Sequence, residues 1–298
     1  INYVIGADQQ KWFGAIQTAF SSPNIKWEST KTSNIGIDVG FFQDRLNVTA
    51  DYFIKKTSDL LLNVPIPGSA GAISNPVVNA GDLRNKGIEV GVNFNDHIGK
   101  LNYGVFGTIS AVKNKVIALG TGSQQIFGGQ PTHHGASSTL TEAGGSIGSF
   151  YLIKDIGIFN SQAEVDAYSK NGKLIQPNAA PGDVKFQDTN NDGQINDNDK
   201  VNSGSPFPNF EYGFGINASM YGFDINMFFQ GSQGNKIYNG LRQDLESTNL
   251  DFNYSKSTLN AWTPTNHSNT PRAITSDPNF NNRTSSRFLE DGSYLRMK

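Results

Sequence analysis

Segment 34–42 alternates residue by residue: Ile35, Ile37, Val39 and Phe41 fall on one face, and Gly36, Asp38 and Gly40 on the other. After Gln43-Asp44, segment 45–54 does the same, with Leu46, Val48, Ala50, Tyr52 and Ile54 opposing Asn47, Thr49 and Asp51. Successive strand side chains point to opposite faces, so each segment reads as a half-apolar strand and the pair as a hairpin. The pairing recurs. Segments 87–95 and 101–113 flank 96–100, and segments 210–220 and 223–231 flank Tyr221-Gly222. Long polar stretches separate the pairs. Short turns at one end and long connections at the other are how a transmembrane β-barrel is strung. A soluble sandwich also alternates, but it has no reason to place every long connection at the same end. The runs are about ten residues long, which suits a tilted membrane strand and exceeds the mean soluble strand. Aromatics stand near the strand ends (Phe41, Tyr52, Phe94, Tyr103, Phe210, Phe229), as interfacial girdles do.

Composition narrows the classes. Glycine is abundant at 32 of 298 residues, charged residues make up 17 % and aromatics 11 %, a mix suited to β-structure with large loops. The net charge of -2 with scattered Lys and Arg excludes a nucleic-acid footprint. There are no cysteines for disulfides or thiolate metal sites, and the four histidines (His97, His133, His134, His267) are too dispersed for a zinc cage. No apolar run approaches the roughly 20 residues of a membrane helix. The mean hydropathy of -0.42 does not count against a barrel, which carries its lipid face in every second residue. Ile1 is not an initiator Met, no signal peptide is present, and 292–298 reads as a strand just beginning. The expectation is a piece of a larger protein, because six strands and the start of a seventh fall below the minimum of about 8 for a closed membrane barrel.

The connection 114–208 is too long to be structureless. Ser161-Gln162-Ala163-Glu164 is a capping-box pattern that starts a short helix, and Asp183-Val184-Lys185-Phe186 reads as a short strand. Between them and the next hairpin lies Asp188-Thr189-Asn190-Asn191-Asp192-Gly193-Gln194-Ile195-Asn196-Asp197-Asn198-Asp199. This matches D-x-[DN]-x-[DN]-G with an acid at the twelfth position, a pattern that collects oxygens for a hard cation. Asp188, Asn190 and Asp192 would give side-chain oxygens, and Gly193 would allow the reversal. Gln194 would offer its carbonyl, Asn196 would act directly or through water, and Asp199 would close the shell. Ile195 would pin the loop to the body of the protein. The predicted cofactor is a structural Ca2+ held by these six residues, in a calcium loop without the flanking helices of an EF-hand. The competing reading is an Asn/Asp-rich turn held by its own Asx hydrogen bonds.

Several stretches resemble one family. Pro23-Asn24-Ile25-Lys26-Trp27-Glu28 with Thr32-Ser33-Asn34-Ile35-Gly36-Ile37-Asp38, and then Asn79-Ala80-Gly81-Asp82-Leu83-Arg84-Asn85-Lys86-Gly87-Ile88-Glu89, are similar to segments of SusC/RagA-type TonB-dependent outer-membrane transporters. Pro181-Gly182-Asp183-Val184-Lys185-Phe186-Gln187-Asp188, Gly222-Phe223-Asp224-Ile225 and Phe288-Leu289-Glu290-Asp291-Gly292-Ser293-Tyr294-Leu295-Arg296 continue the resemblance in order. It implies an all-β fold: an antiparallel transmembrane β-barrel fragment of a 22-stranded-type plugged barrel with long extracellular loops. Within 1–298 the expected strands lie near 34–42, 45–56, 87–95, 101–113, 209–220 and 222–231, with the calcium-loop insertion at 114–208 and the N-terminal plug outside the chain.

The same resemblance implies import of oligosaccharide or peptide across the cell outer membrane. The implied partners are a SusD-like surface lipoprotein as lid, the TonB complex through the missing N-terminal region, and outer-membrane lipid. The alternatives are a soluble calcium-stabilised carbohydrate-binding or carbohydrate-active β-protein and a surface adhesin. No catalytic residues are expected, since the acids sit mostly in turns or in the calcium loop and no nucleophile motif occurs. Arg84, Asn85, Lys86 and Glu89 read as a hydrogen-bonded structural hub at a strand start. His133 and His134 read as exposed loop residues. Trp27 and Trp262 read as candidates for sugar stacking or for the interfacial belt.

Overall fold

The computed structural model describes residues 2–4, 11–13, 25–63, 76–79, 81–120, 125–130, 136–251 and 253–298. Seven strands form one antiparallel sheet: β1 (Ser29–Phe41), β2 (Leu46–Ser58), β3 (Gly81–Ile98), β4 (Leu101–Leu119), β5 (Phe210–Met220), β6 (Phe223–Gln233) and β7 (Tyr294–Met297). Each strand pairs with its neighbours in sequence, so the sheet is a simple meander from β1 to β7, open at both edges among the described residues. The register keeps the apolar positions together across it. Val39, Val48, Val92 and Gly107 align on one face, and Ile216 lies beside Val105 and Met227 on the same face.

The strands outrun the sequence expectation. β3 and β4 reach 18 and 19 residues. Ile98 pairs with Leu101, so the turn expected at 96–100 shrinks to Gly99-Lys100, and the long connection starts after Leu119 rather than at 114. At about 3.3 Å per residue and a tilt near 40°, nineteen residues rise about 45 Å, well past an apolar band of about 25 Å. Beyond that height β3 carries the polar run Gly81–Lys86, whereas β4 passes through Lys113–Lys115 and ends on Val116-Ile117-Ala118-Leu119.

All three short turns lie at one end. Tyr221-Gly222 has φ 51 and 84, the paired positive values of a tight I′ hairpin turn. At 42–45, three consecutive non-glycine residues, Phe42, Gln43 and Asp44, have φ of 57, 59 and 64, a conformation that costs L-residues roughly 1–2 kcal/mol each. Two contacts hold it: Arg45 Nε donates to the Phe42 carbonyl at 3.1 Å, and Asn47 Nδ2 to the Asp44 carbonyl at 2.8 Å.

The core is not in the sheet. Among the described residues, Val116 is the one buried hydrophobic on the seven strands; Leu140, Phe150, Leu152, Ile153, Phe159, Val165, Val184, Phe186, Trp262 and Phe288 all belong to the connections. The sheet's apolar face is bare, with Ile35 at 73 % and Ile225 at 58 % exposure. The long connections fold on themselves. A four-stranded sheet joins Gln125–Gly128, Thr139–Glu142, Ser149–Ile153 and Lys200–Gly204. A helix at Gln162–Ala167 is capped by Ser161, which accepts from the Glu164 N–H at 3.2 Å. The Glu164 carboxylate reaches back to the Asn160 N–H at 2.9 Å, one residue before the position a capping box would use.

Candidate functional site

Two surfaces carry the polar chemistry. The first is the sheet face opposite the apolar one. Asp51, Glu89, Ser110 and Glu211 stand side by side across β2, β3, β4 and β5. Asp51 and Glu89 are direct cross-strand neighbours, an arrangement that like charges disfavour. Asn34 Nδ2 donates to Asp51 Oδ1 at 3.3 Å, and Ser110 Oγ to Glu89 Oε1 at 3.3 Å. None of the three carboxylates has a basic partner among the described residues. They line an open concavity of about 530 Å³ with Thr49, Thr108 and Gln230. Phe106 and Phe228 stack at 5.9 Å on this face, and Phe53, two residues from Asp51, stands over Gly87 on the same side.

The second surface is the body built from the long connections. Its centre is Asp183, fully buried. Arg272 grips it with Nε to Oδ1 at 2.7 Å and Nη2 to Oδ2 at 3.0 Å, while Asn281 Nδ2 donates to Oδ1 at 2.9 Å and the Ala180 N–H to Oδ2 at 2.9 Å. The bond to Asp183 raises the Arg272 pKa further. Gly182, at φ +91, permits the approach: a Cβ there would sit 2.5 Å from the Trp262 ring and 2.8 Å from Arg272. Gln176 ties Val184, Phe186 and Asn279 together at 2.8–2.9 Å. These contacts join the connection after β4 to the one after β6 as one unit. Sequence reasoning missed this unit, because its partners lie 89 to 103 residues apart.

The loop at 188–199 lies on this body. Ile195 packs against the buried cluster of Ile153, Val184 and Phe186. Asp188 accepts the N–H groups of Asp192 (3.0 Å) and Gly193 (2.8 Å), with Gly193 at φ +88. Asp192 Oδ2 receives Nδ2 of Asn190 (3.0 Å) and of Asn196 (3.3 Å), and its Oδ1 receives the Gln194 N–H at 2.9 Å. The Asn190 side-chain amide above all holds the Asp192 carboxyl below the usual carboxylate range. Asp188, Asn190, Asp192 and Asn196 thus converge; the two amides fill Asp192 Oδ2, and spare acceptor capacity lies on the other oxygens. Asp199 differs: it is fully buried, and its two oxygens take the N–H groups of Thr189 (2.8 Å), Asn190 (3.4 Å) and Asn196 (2.8 Å). It organises the loop from within. The Lys170 ammonium sits on the Asn191 carbonyl and puts a positive charge at the loop's mouth. Four oxygen-bearing side chains thus meet at the mouth of the loop beside one resident ammonium, held there by hydrogen bonds within the loop.

The other sequence candidates separate. Trp262 is buried, donates Nε1 to Asn160 Oδ1 at 3.0 Å and stacks on His267 at 5.6 Å, so it is a packing residue of the outer body. Trp27 is 91 % exposed. His133 and His134 lie outside the described residues. The expected hub at 84–89 is split by strand alternation. Asn85 and Glu89 face the polar side, where Asn85 accepts from Asn114 at 2.7 Å. Arg84 and Lys86 face the apolar side, and their side chains have no hydrogen-bond or ion-pair partner among the described residues, Arg84 Nε being buried and unbonded.

A seven-stranded antiparallel meander, apolar and bare on one face, polar on the other and with every long connection at one end, is the wall of a membrane β-barrel. Residues 5–169 match the family described as TonB dependent receptor-like, beta-barrel, and the chain belongs to that family. Among curated relatives, TonB-dependent receptor P3 of Formosa agariphila is 32 % identical over 299 residues, covering 99 % of this chain and 29 % of the relative. TonB-dependent receptor SusC of Bacteroides thetaiotaomicron is 26 % identical over 243 residues, covering 73 % of this chain and 22 % of SusC. The chain thus spans less than a third of these relatives. The RagAB peptide importer in its open-open state superposes with a TM-score of 0.73 at 22 % identity, over all of this chain and 30 % of that one, which supports the fold.

Proposed function

We propose that this chain is part of the wall and outer mouth of an outer-membrane importer that works without covalent chemistry. The observation that carries the reading is the bare apolar face running across seven strands while three long connections gather at one end. A soluble carbohydrate-binding sheet would have to cover that face. The cargo, by likeness to the RagAB peptide importer, is a peptide, or, as the resemblance in the sequence implies, an oligosaccharide. The acidic row Asp51, Glu89 and Glu211 faces the lumen, where basic groups of a plug would offset its charge. The packed outer body is the docking surface for a SusD-like surface lipoprotein, and TonB supplies the energy through a region outside this chain.

Asp188, Asn190, Asp192 and Asn196, with the Gln194 carbonyl, would hold Ca2+, and Asp199 would shape the loop behind them. The ion's contribution would be to neutralise the loop carboxylates and stiffen the mouth. The test is heat-modifiable gel mobility of the full-length receptor in detergent, followed by co-purification with its lid lipoprotein. The reading expects a mobility shift and a lid complex weakened by substitutions at Asp188 and Asp192. Full solubility of the intact receptor without detergent contradicts it.

A further inference from the structure

The apolar face ends in a belt of cations. Along β3 the outward positions from Ile98 to Ile88, apolar except for Asp96, which pairs with Arg45 beside the tight turns, cover ten residue steps, about 33 Å along the strand and about 25 Å along the barrel axis at 40° tilt, the height of an apolar band. The row at its outer rim is Ile35, Tyr52, Ile88 and Ala111. Directly above it Lys86 pairs with Lys113. One row further, Lys31 pairs with Lys56, Lys56 with Arg84, and Arg84 with Lys115. Six cations therefore occupy two adjacent rows on the lipid-facing side of four neighbouring strands. The five lysines are exposed and Arg84 is half-buried.

Nothing in the described chain neutralises them. None of the six has an ion pair or a side-chain hydrogen bond among the described residues, and Arg84 Nε is buried without a partner. Asp82, an acid at the same end of β3, accepts from the Asp59 N–H at 3.3 Å. Like charges placed directly opposite each other destabilise a sheet, so this arrangement calls for an external anion. The belt's level in the bilayer defines that anion's source, and this step rests on the outer-membrane reading, which makes the long-connection end the outer one.

We propose that the belt of Lys31, Lys56, Arg84, Lys86, Lys113 and Lys115 is a binding site for the phosphate-bearing headgroup of an outer-leaflet glycolipid. Lysines supply point charges and Arg84 a fork suited to a phosphate. Strands about 4.8 Å apart spread the four-residue row over about 14 Å, wide enough for a headgroup with more than one phosphate. Lysine stems lie along the apolar rim while their heads reach the interface.

The test uses the full-length receptor in phosphatidylcholine nanodiscs doped with bis-phosphorylated lipid A or with dephosphorylated lipid A, and native mass spectrometry counts the lipid retained. The proposal expects about tenfold preference for the phosphorylated form. It expects loss of that preference when all six residues are changed to Gln, and retention when the five lysines become Arg. Lys55→Gln, on the lumenal face beside Lys56, leaves it unchanged. Equal retention of the two lipids by the unaltered receptor overturns the proposal without reliance on any variant's folding. Displacement of the lipid by inorganic phosphate also overturns it, since the belt would then be a free-phosphate site. A receptor that enters nanodiscs but shows no preference contradicts the belt alone, whereas one that does not enter contradicts the barrel reading on which the belt rests.

Discussion

Arg272 grips Asp183 through two hydrogen bonds of 2.7 and 3.0 Å, and in doing so joins connections 89 residues apart in sequence. Asp183 is fully buried. Removing the guanidinium leaves a buried carboxylate with only Asn281 and the Ala180 N–H, and breaking such a pair typically costs about 3–5 kcal/mol. Arg272→Ala is expected to open the outer body, read as protease cleavage within 150–290, while the strands keep heat-modifiable mobility. Arg272→Lys recovers part of the loss, because an ammonium cannot make the two-pronged contact.

Phe186 is fully buried, packs with Ile153 and Val184, and lends its carbonyl to the Tyr168 hydroxyl at 2.6 Å. Phe186→Ala is expected to cost about 3–5 kcal/mol in the outer body. Hydrogen exchange should rise at 184–186 and at Ile195, which rests on the same cluster, and should stay unchanged in β3 and β4.

At 188–199 the proposed divalent cation would compete with the Lys170 ammonium. Lys170→Met is expected to tighten Tb3+ binding, read by luminescence, and Asp188→Asn with Asp192→Asn to abolish it. Equal Tb3+ affinity in all three proteins would remove the cation from the account and leave an Asx-bonded turn.

The pH response of that loop has a definite sign. The Asp192 pKa lies below its ordinary value of 3.8, chiefly through the Asn190 amide. A depressed folded value contributes stability that is present above the unfolded pKa and lost as pH falls through the folded one. The loop should therefore keep its protease resistance from neutral pH down to about 4 and lose it only below that. Asn190→Ala should move the loss to higher pH.

Much of the sheet was legible because alternation is local: each of the six hairpin strands shows its own period of two, and β7 shows only as a beginning. The outer body was not legible. Its ties are single Asn, Gln, Asp and Arg side chains such as Gln176 to Asn279 and Trp262 to Asn160, 103 and 102 residues apart, and no periodicity marks such pairs. The calcium-type motif was legible as a pattern, but the buried position of Asp199 and the presence of Lys170 depend on tertiary packing. At Arg84 and Lys86 the alternation rule was enough to separate them from Asn85 and Glu89; reading the four as one charged cluster obscured the belt.

Neighbouring residues on β3 give opposite expectations. Val92 lies midway along the apolar face and Asn93 on the polar one. Val92→Arg is expected to cost about 2–4 kcal/mol of barrel stability, the range for a cation at the bilayer midplane. Asn93→Arg should cost little, as read by urea unfolding in lipid vesicles.

The central claim is that one face of this sheet meets lipid and the other a watery lumen. Residues 1–298 contain no cysteine, so single cysteines spin-labelled along 88–94 meet no native one within this part of the wall. In the full-length receptor in vesicles, collision with lipid-soluble oxygen should peak at 88, 90, 92 and 94, and collision with a water-soluble nickel chelate at 89, 91 and 93. Alternation of that phase is the predicted result. Equal accessibility of both sets to the nickel reagent, or protection of the even positions from both reagents, would contradict the account.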